Sequence, residues 1–152
     1  MTTTFMGRKN EPFLIADTSG LVSLTVVTDR NHKSALEATV PLQEQQTSIL
    51  VPFEVLVETA NVLGRQVGHD HALAVASYVY STPLFFTFDS SPMARSKAFE
   101  LFRKLPQAVS LTDCIVMAVA DEYQTKRIFS FDQDFEKVGY QIIEDQEKPQ
   151  AA

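Results

Sequence analysis

The sequence predicts an α/β fold, a three-layer α/β/α sandwich on a central, mainly parallel sheet, and three observations predict it. Short apolar runs alternate with longer amphipathic segments along the chain. The short runs are almost continuously apolar, as strands buried on both faces must be. Proline, glycine and hydroxyl residues fall between the segments, where helices start and stop.

Taken in order, FLIA (13–16), SILV (48–51), LFFTF (84–88), RIFSF (127–131) and YQII (140–143) predict five strands. Between them, 18–28, 31–45, 53–67, 70–81, 92–104 and 112–124 predict helices. Pro52 and Pro92 stand where a first helical turn tolerates proline, and Gly68 follows a helix. Ser110 or Thr112 can cap the helix that contains Asp113. The polar segment 1–11 and the charged tail 144–152 predict flexible termini around one domain at 12–143.

A chain of 152 residues, 45% hydrophobic, can bury one core without disulfides or a structural metal. Its single cysteine, Cys114, excludes a disulfide framework and fits a reducing, cytoplasmic setting. No apolar run reaches the 18 or so residues of a membrane span, and the first twelve residues lack the apolar stretch of a signal peptide. Thirteen Lys and Arg against 19 Asp and Glu give a net charge of -6. Long-range attraction of a polyanion is therefore disfavoured, while an enzyme that gathers carboxylates around metal ions is compatible with the balance.

Chemistry is predicted at strand ends, because open α/β sheets bind ligands beyond the carboxyl ends of their strands. Asp17 follows FLIA and precedes the hydroxyl-rich turn TSG; alone it reads equally well as a helix cap. IFSFDQDF repeats the arrangement with Ser130, Asp132 and Asp134, and acids two apart in a loop can face one cation. Glu58 is the only charge in nine residues, VLVETANVL, with Val55, Asn61, Val62 and Glu54 on its helical face. A carboxylate so placed is partly desolvated and needs a cation or hydrogen bonds to stay ionised. Glu54, near a helix start, reads as structural. Asp113 opens the apolar helix TDCIVMAVADEY, where it serves as a dipole partner or a metal ligand.

Other polar groups carry less. Cys114 reads as a buried apolar residue, His69 and His71 as a solvated helix–helix connection, and His32 as a surface residue. Phosphate loops, nucleophile elbows and CxxC pairs are absent from the sequence. Positive charge gathers in RSKAFELFRKL, with Arg95, Lys97, Arg103 and Lys104, a solvated helix face that would hold RNA phosphates if it lay beside an acidic pocket.

Asp17 in ADTSG, Glu58 in VPFEVLVETANVL, Asp113 in SLTDCIVMAVADEY and Asp132 in IFSFDQDF together resemble, in order, type and spacing, the four acidic motifs of PIN-domain ribonucleases. Within that family the chain looks most like the small toxin nucleases of VapBC-type toxin–antitoxin pairs. The resemblance spans about 13–143. It implies a metal-dependent endoribonuclease whose catalytic acids are Asp17, Glu58, Asp113 and Asp132. Together with Asp134, at a position often acidic in the family, these would hold Mg2+ or Mn2+, and Ser19, Thr112 and Ser130 would be the hydroxyls around them. It also implies an RNA substrate and a small antitoxin protein. The apolar stretches LVSLTVV and ALAVASYVY supply core and, with it, a possible homodimer face. The competing reading is a PIN-like module that binds RNA or protein without hydrolysis. Retention of four mutually repelling acids favours the enzyme. A receiver-like domain shares the alternation but needs a late-strand Lys beside the site, and Lys126 precedes its strand.

Overall fold

The structure is a computed structural model, and it describes residues 13–143. The segments 1–12 and 144–152, which contain both expected flexible termini, lie outside the described residues. Four parallel strands form the sheet: β1 (Leu14–Ala16), β2 (Ile49–Pro52), β3 (Phe85–Phe88) and β4 (Arg127–Phe129), in the order β3-β2-β1-β4. Every residue of β1 and β2 is buried. Successive strand residues point to opposite faces, so helices must cover both sides, which is why these runs do not alternate with polar residues.

Among the described residues, seven helices follow in chain order: α1 (Thr18–Thr25), α2 (His32–Glu44), α3 (Phe53–Gln66), α4 (His69–Ser81), α5 (Pro92–Lys104), α6 (Leu111–Glu122) and the short α7 (Gln133–Lys137). α5 begins with Pro92 behind the Ser91 cap, whose hydroxyl accepts from the Ala94 N–H at 3.0 Å. Between its polar ends α6 is apolar all round, with Cys114 through Ala120 buried against β1, β2 and β4. That burial, rather than amphipathic periodicity, makes it the central helix of the core.

Besides α1, which ends at Thr25 rather than at residue 28, the sequence expectation differs from the structure in three places. Residues 140–143 form a single parallel bridge, Arg127 to Gln141, instead of a fifth strand. The Ile128 N–H donates to the Gln141 carbonyl at 2.8 Å and the Ile143 N–H to the Ser130 carbonyl at 2.9 Å, so the segment runs beside β4. It follows Gly139 at φ +96°, and Tyr140 turns inward so that its hydroxyl reaches Asp121 at 2.9 Å. His69 and His71 belong to the first turn of α4 rather than to a connection; the chain reverses one residue earlier, at Gly68, whose φ of +139° favours a residue without a side chain. The third difference is the run read as 127–131, whose strand stops at Phe129, leaving Ser130 and Phe131 to leave the sheet.

The strand order also locates the crevice. From β1 the chain moves to β2 and β3 on one side, then returns to β4 on the other. Connections therefore depart in opposite directions above β1 and β4, and a gap opens between them at the carboxyl end of the sheet.

Candidate active site

Asp17 and Ser130 stand at that gap, one residue beyond β1 and β4. α1 starts at once after β1 and crosses very close to β4: a Cβ on Gly20 would lie 2.0 Å from the Phe129 carbonyl oxygen. Only glycine admits this approach, which brings Ser19 to the end of β4. Asp17 is 3% exposed, and one of its oxygens, Oδ2, accepts from Ser19 Oγ at 3.0 Å, Ser130 Oγ at 2.9 Å and the Ser19 N–H at 3.3 Å. Both hydroxyls in turn accept backbone N–H groups of the loop after β4. Phe131 donates to Ser19 Oγ at 3.2 Å and Asp132 to Ser130 Oγ at 3.0 Å. Two serines thus tie the carboxylate of one strand to the backbone of another.

Asp132 caps α7, its Oδ1 accepting from the Asp134 N–H at 2.9 Å. Glu58, one turn into α3, accepts from Thr18 Oγ1 at 3.0 Å through Oε2. Asp113 sits at the third position of α6 in a reciprocal cap: its N–H donates to Ser110 Oγ and its Oδ2 accepts the Ser110 N–H, each at 3.0 Å. Asp113 thus closes the capping box of α6 and also lines the cleft, and Ser110 rather than Thr112 is the cap.

Asp17, Glu58, Asp113 and Asp132 line one cleft of about 610 Å³. Their charges interact. Burial pushes the Asp17 carboxyl up to about 6, with the Asp113 charge adding to it and the hydrogen bonds of Ser130, Ser19 and the Thr18 backbone opposing it. Burial likewise raises Asp113, against the hydrogen bonds of Ser110 and with the charges of Asp132 and Glu58. Among the described residues, no three His, Cys, Asp or Glu side chains draw together tightly enough to enclose an ion.

Other expected residues fall elsewhere. Asp134 is not part of the cleft lining, and its carboxylate pairs with Lys137 at 3.1 Å. Thr112 is half-buried on α6, outside the lining. On α5, Arg95 Nε bonds Ser90 Oγ at 2.8 Å and Glu54 at 3.3 Å, while Lys97 pairs with Asp121 at 2.9 Å. Glu54 also accepts from Ser90 Oγ at 2.6 Å, which makes it the link between α3 and the start of α5. Arg103 and Lys104 are exposed in the last turn of α5. Cys114 is fully buried, its thiol raised by burial and by Asp113.

The cleft also contains residues that sequence reasoning missed: Thr18, Asp29, Asn31, Gln66 and Phe131. Thr18 carried a signal, the hydroxyl beside Asp17. Asn31 and Gln66 carried none, since they meet only through the packing of α1, α2 and α3.

A parallel α/β domain with an acidic cleft at its switch point defines a class of site built from carboxylates at strand ends and on the helices beside them. The PIN domain profile matches residues 14–140, and the chain belongs to that family. In fold it is similar to VapC20 of Mycobacterium tuberculosis, a sarcin–ricin loop cleaving toxin, with a TM-score of 0.72 and 22% identity over 84% of this chain and 96% of that one. No curated protein matches the sequence.

Proposed function

We propose that this chain is a divalent-metal-dependent endoribonuclease, the toxin of a toxin–antitoxin pair. The observation that carries the reading is the meeting of Asp17, Glu58, Asp113 and Asp132, from four separate parts of the chain, in one cleft. Family membership and the likeness to a sarcin–ricin loop cleaving toxin support it.

The donor set fits Mg2+ or Mn2+. All four side chains offer hard oxygens, and the raised Asp17 and Asp113 carboxyls mark repulsion and burial that a cation would relieve. Mg2+ commonly takes one or two carboxylates and keeps water for its remaining positions, which suits acids that share a cleft without enclosing an ion. When bound, such an ion supplies a more acidic water and neutralises charge on a phosphate. The chain's own part is to fix the acids. Ser19 and Ser130 hold Asp17, Thr18 orients Glu58, and Ser110 sets the rotamer of Asp113. The Asp134 carboxylate pairs with Lys137, and the Asp134 backbone N–H holds Asp132 Oδ1. Arg103 and Lys104 are the members of the basic run best suited to RNA phosphates, because Arg95 and Lys97 are already paired.

Exposed Phe53 and Val57, one turn apart on α3, and Leu36 and Val40 on α2 offer apolar surface for an antitoxin or a second copy of the chain. Among the described residues no helix is long and apolar enough to cross a membrane.

The test is incubation of the purified protein with RNA, with Mg2+ or Mn2+ and with excess chelator, beside the Glu58→Gln variant. Cleavage should require the cation and fall at least about a hundredfold in the variant, in line with loss of a charged group at a reacting centre. Full cleavage in chelator refutes metal dependence, and full cleavage by the variant removes Glu58 from the site.

A further inference from the structure

The cleft continues beyond its acids. Glu58, Val62 and Gln66 line it at four-residue intervals along α3, and Ser19 and Val22 line it from α1. α1 packs against α3, so the two rows form opposite walls of a groove. Eight residues of helix rise roughly 12 Å, which sets the distance from Glu58 to Gln66 along it. The walls change character over that distance, from carboxylates through the half-buried Val22 and Val62 to the amide of Gln66.

Asn31 contributes a second amide. Its backbone is fixed by a 2.9 Å hydrogen bond to Asp29 Oδ1, which also accepts from Ser23 Oγ at 2.9 Å, while its side chain makes no capping hydrogen bond to α2. Phe131, held through its N–H by Ser19, lines the cleft beside Asp132. Among the described residues, no lysine or arginine lines the cleft.

We infer that the α1–α3 groove reads the base of an unpaired nucleotide flanking the scissile phosphate. In this arrangement Phe131 stacks a base at the bond, Val22 and Val62 close on the flanking base, and the amides of Asn31 and Gln66 bond its edge. The inference rests on the ribonuclease reading and goes beyond it by naming where sequence preference arises. Three considerations lead there. The lining has no Lys or Arg to hold phosphates away from the acids, and phosphates are the same in every sequence, so discrimination must come from bases. An amide offers a donor and an acceptor together, the pattern that distinguishes one base edge from another. A cleft of about 610 Å³ is of the size that takes a small ligand and excludes a duplex, and RNA is read by sequence where bases are unpaired and can stack on aromatic rings.

The experiment is cleavage of a randomised single-stranded RNA pool by the full chain with Mg2+ or Mn2+, with sequencing of the ends and kcat/KM on the preferred and on a poor substrate. Thermal melts confirm that each variant is folded. The wild type should prefer one base at a position flanking the cut. Gln66→Ala and Asn31→Ala should flatten that preference, losing roughly 5- to 150-fold on the preferred RNA and little on the poor one. Phe131→Leu should lose a similar factor on every RNA while Phe131→Tyr keeps activity, because stacking tolerates any base and a merely space-filling role would tolerate leucine. Wild-type preference retained in both amide variants overturns the inference and leaves the nuclease reading standing. Should the wild type cleave no RNA, the nuclease reading fails, and binding of short single-stranded RNAs, followed by fluorescence anisotropy, decides the groove: affinity that does not depend on the base, or that Gln66→Ala leaves unchanged, overturns it.

Discussion

Replacing Asp17 with Asn should stabilise the metal-free protein, and by an amount that depends on pH. Asp17 is buried, and its carboxyl is pushed from an ordinary 3.8 up to about 6. A folded-state value above the unfolded one means that the folded protein binds more protons between the two, so stability falls as pH rises through that window. Below about pH 4 the group is neutral in both states and costs nothing. Above about pH 6 the folded state carries the full cost of the charge, about 3 kcal/mol at 1.36 kcal/mol per pKa unit. Asn keeps an oxygen that can accept from Ser19 and Ser130 but carries no charge. The difference in unfolding free energy between variant and wild type should be near zero at pH 4 and grow to about 3 kcal/mol at pH 7, roughly 6–12 °C in Tm for a domain of this size. Urea unfolding of both proteins across pH 4–8, in chelator, measures it. A difference that does not change with pH, or a variant less stable than wild type at pH 7, refutes the argument that burial and Asp113 destabilise the charged form.

Two further outcomes follow from close contacts. Gly20→Ala should cost about 3 kcal/mol or more, because its Cβ would meet the Phe129 carbonyl oxygen at 2.0 Å and the α1–β4 junction would have to part; a midpoint in urea unchanged from wild type contradicts that packing. Cys114, buried and with its thiol raised, should react with a thiol reagent only as fast as the protein opens, so labelling of the native state at the rate of a small free thiol would show that α6 is not the closed core helix described.

Much of this molecule is legible in its sequence for identifiable reasons. α5 was expected over 92–104 and occupies those residues, because Pro92 marks its first turn and the chain beyond Lys104 leads into Pro106. Asp17 and Asp132 stood out because an acid directly after an apolar run has little to do in a core. Residues 140–143 misled because apolar character does not give the number of backbone partners: only Tyr140 is buried, Gln141 is exposed, and the segment meets edge strand β4 through one bridge. Asn31 and Gln66 were invisible because groove walls arise from helix packing, which local pattern does not encode. The pairings of Arg95 and Lys97 were hidden for the same reason: a charge run states its sign but not which acids lie opposite.

The place of β1 in the sheet has a consequence for how activity could ever be divided. Its two neighbours come from residues 49–52 and 127–129, and the hydrogen bond from Ser130 to Asp17 spans 113 positions of chain. A chain that stops before β4 keeps Asp17, Glu58 and Asp113 but leaves one edge of β1 open and loses the Ser130 hydroxyl and the Phe129 carbonyl, leaving Ser19 alone to hold the first acid. Such distant closures are slow to form and vanish together when the fold opens. A chain without β4 therefore carries three of the four acids but not the cleft in which they meet, because Phe131 and Asp132, which line it, follow that strand.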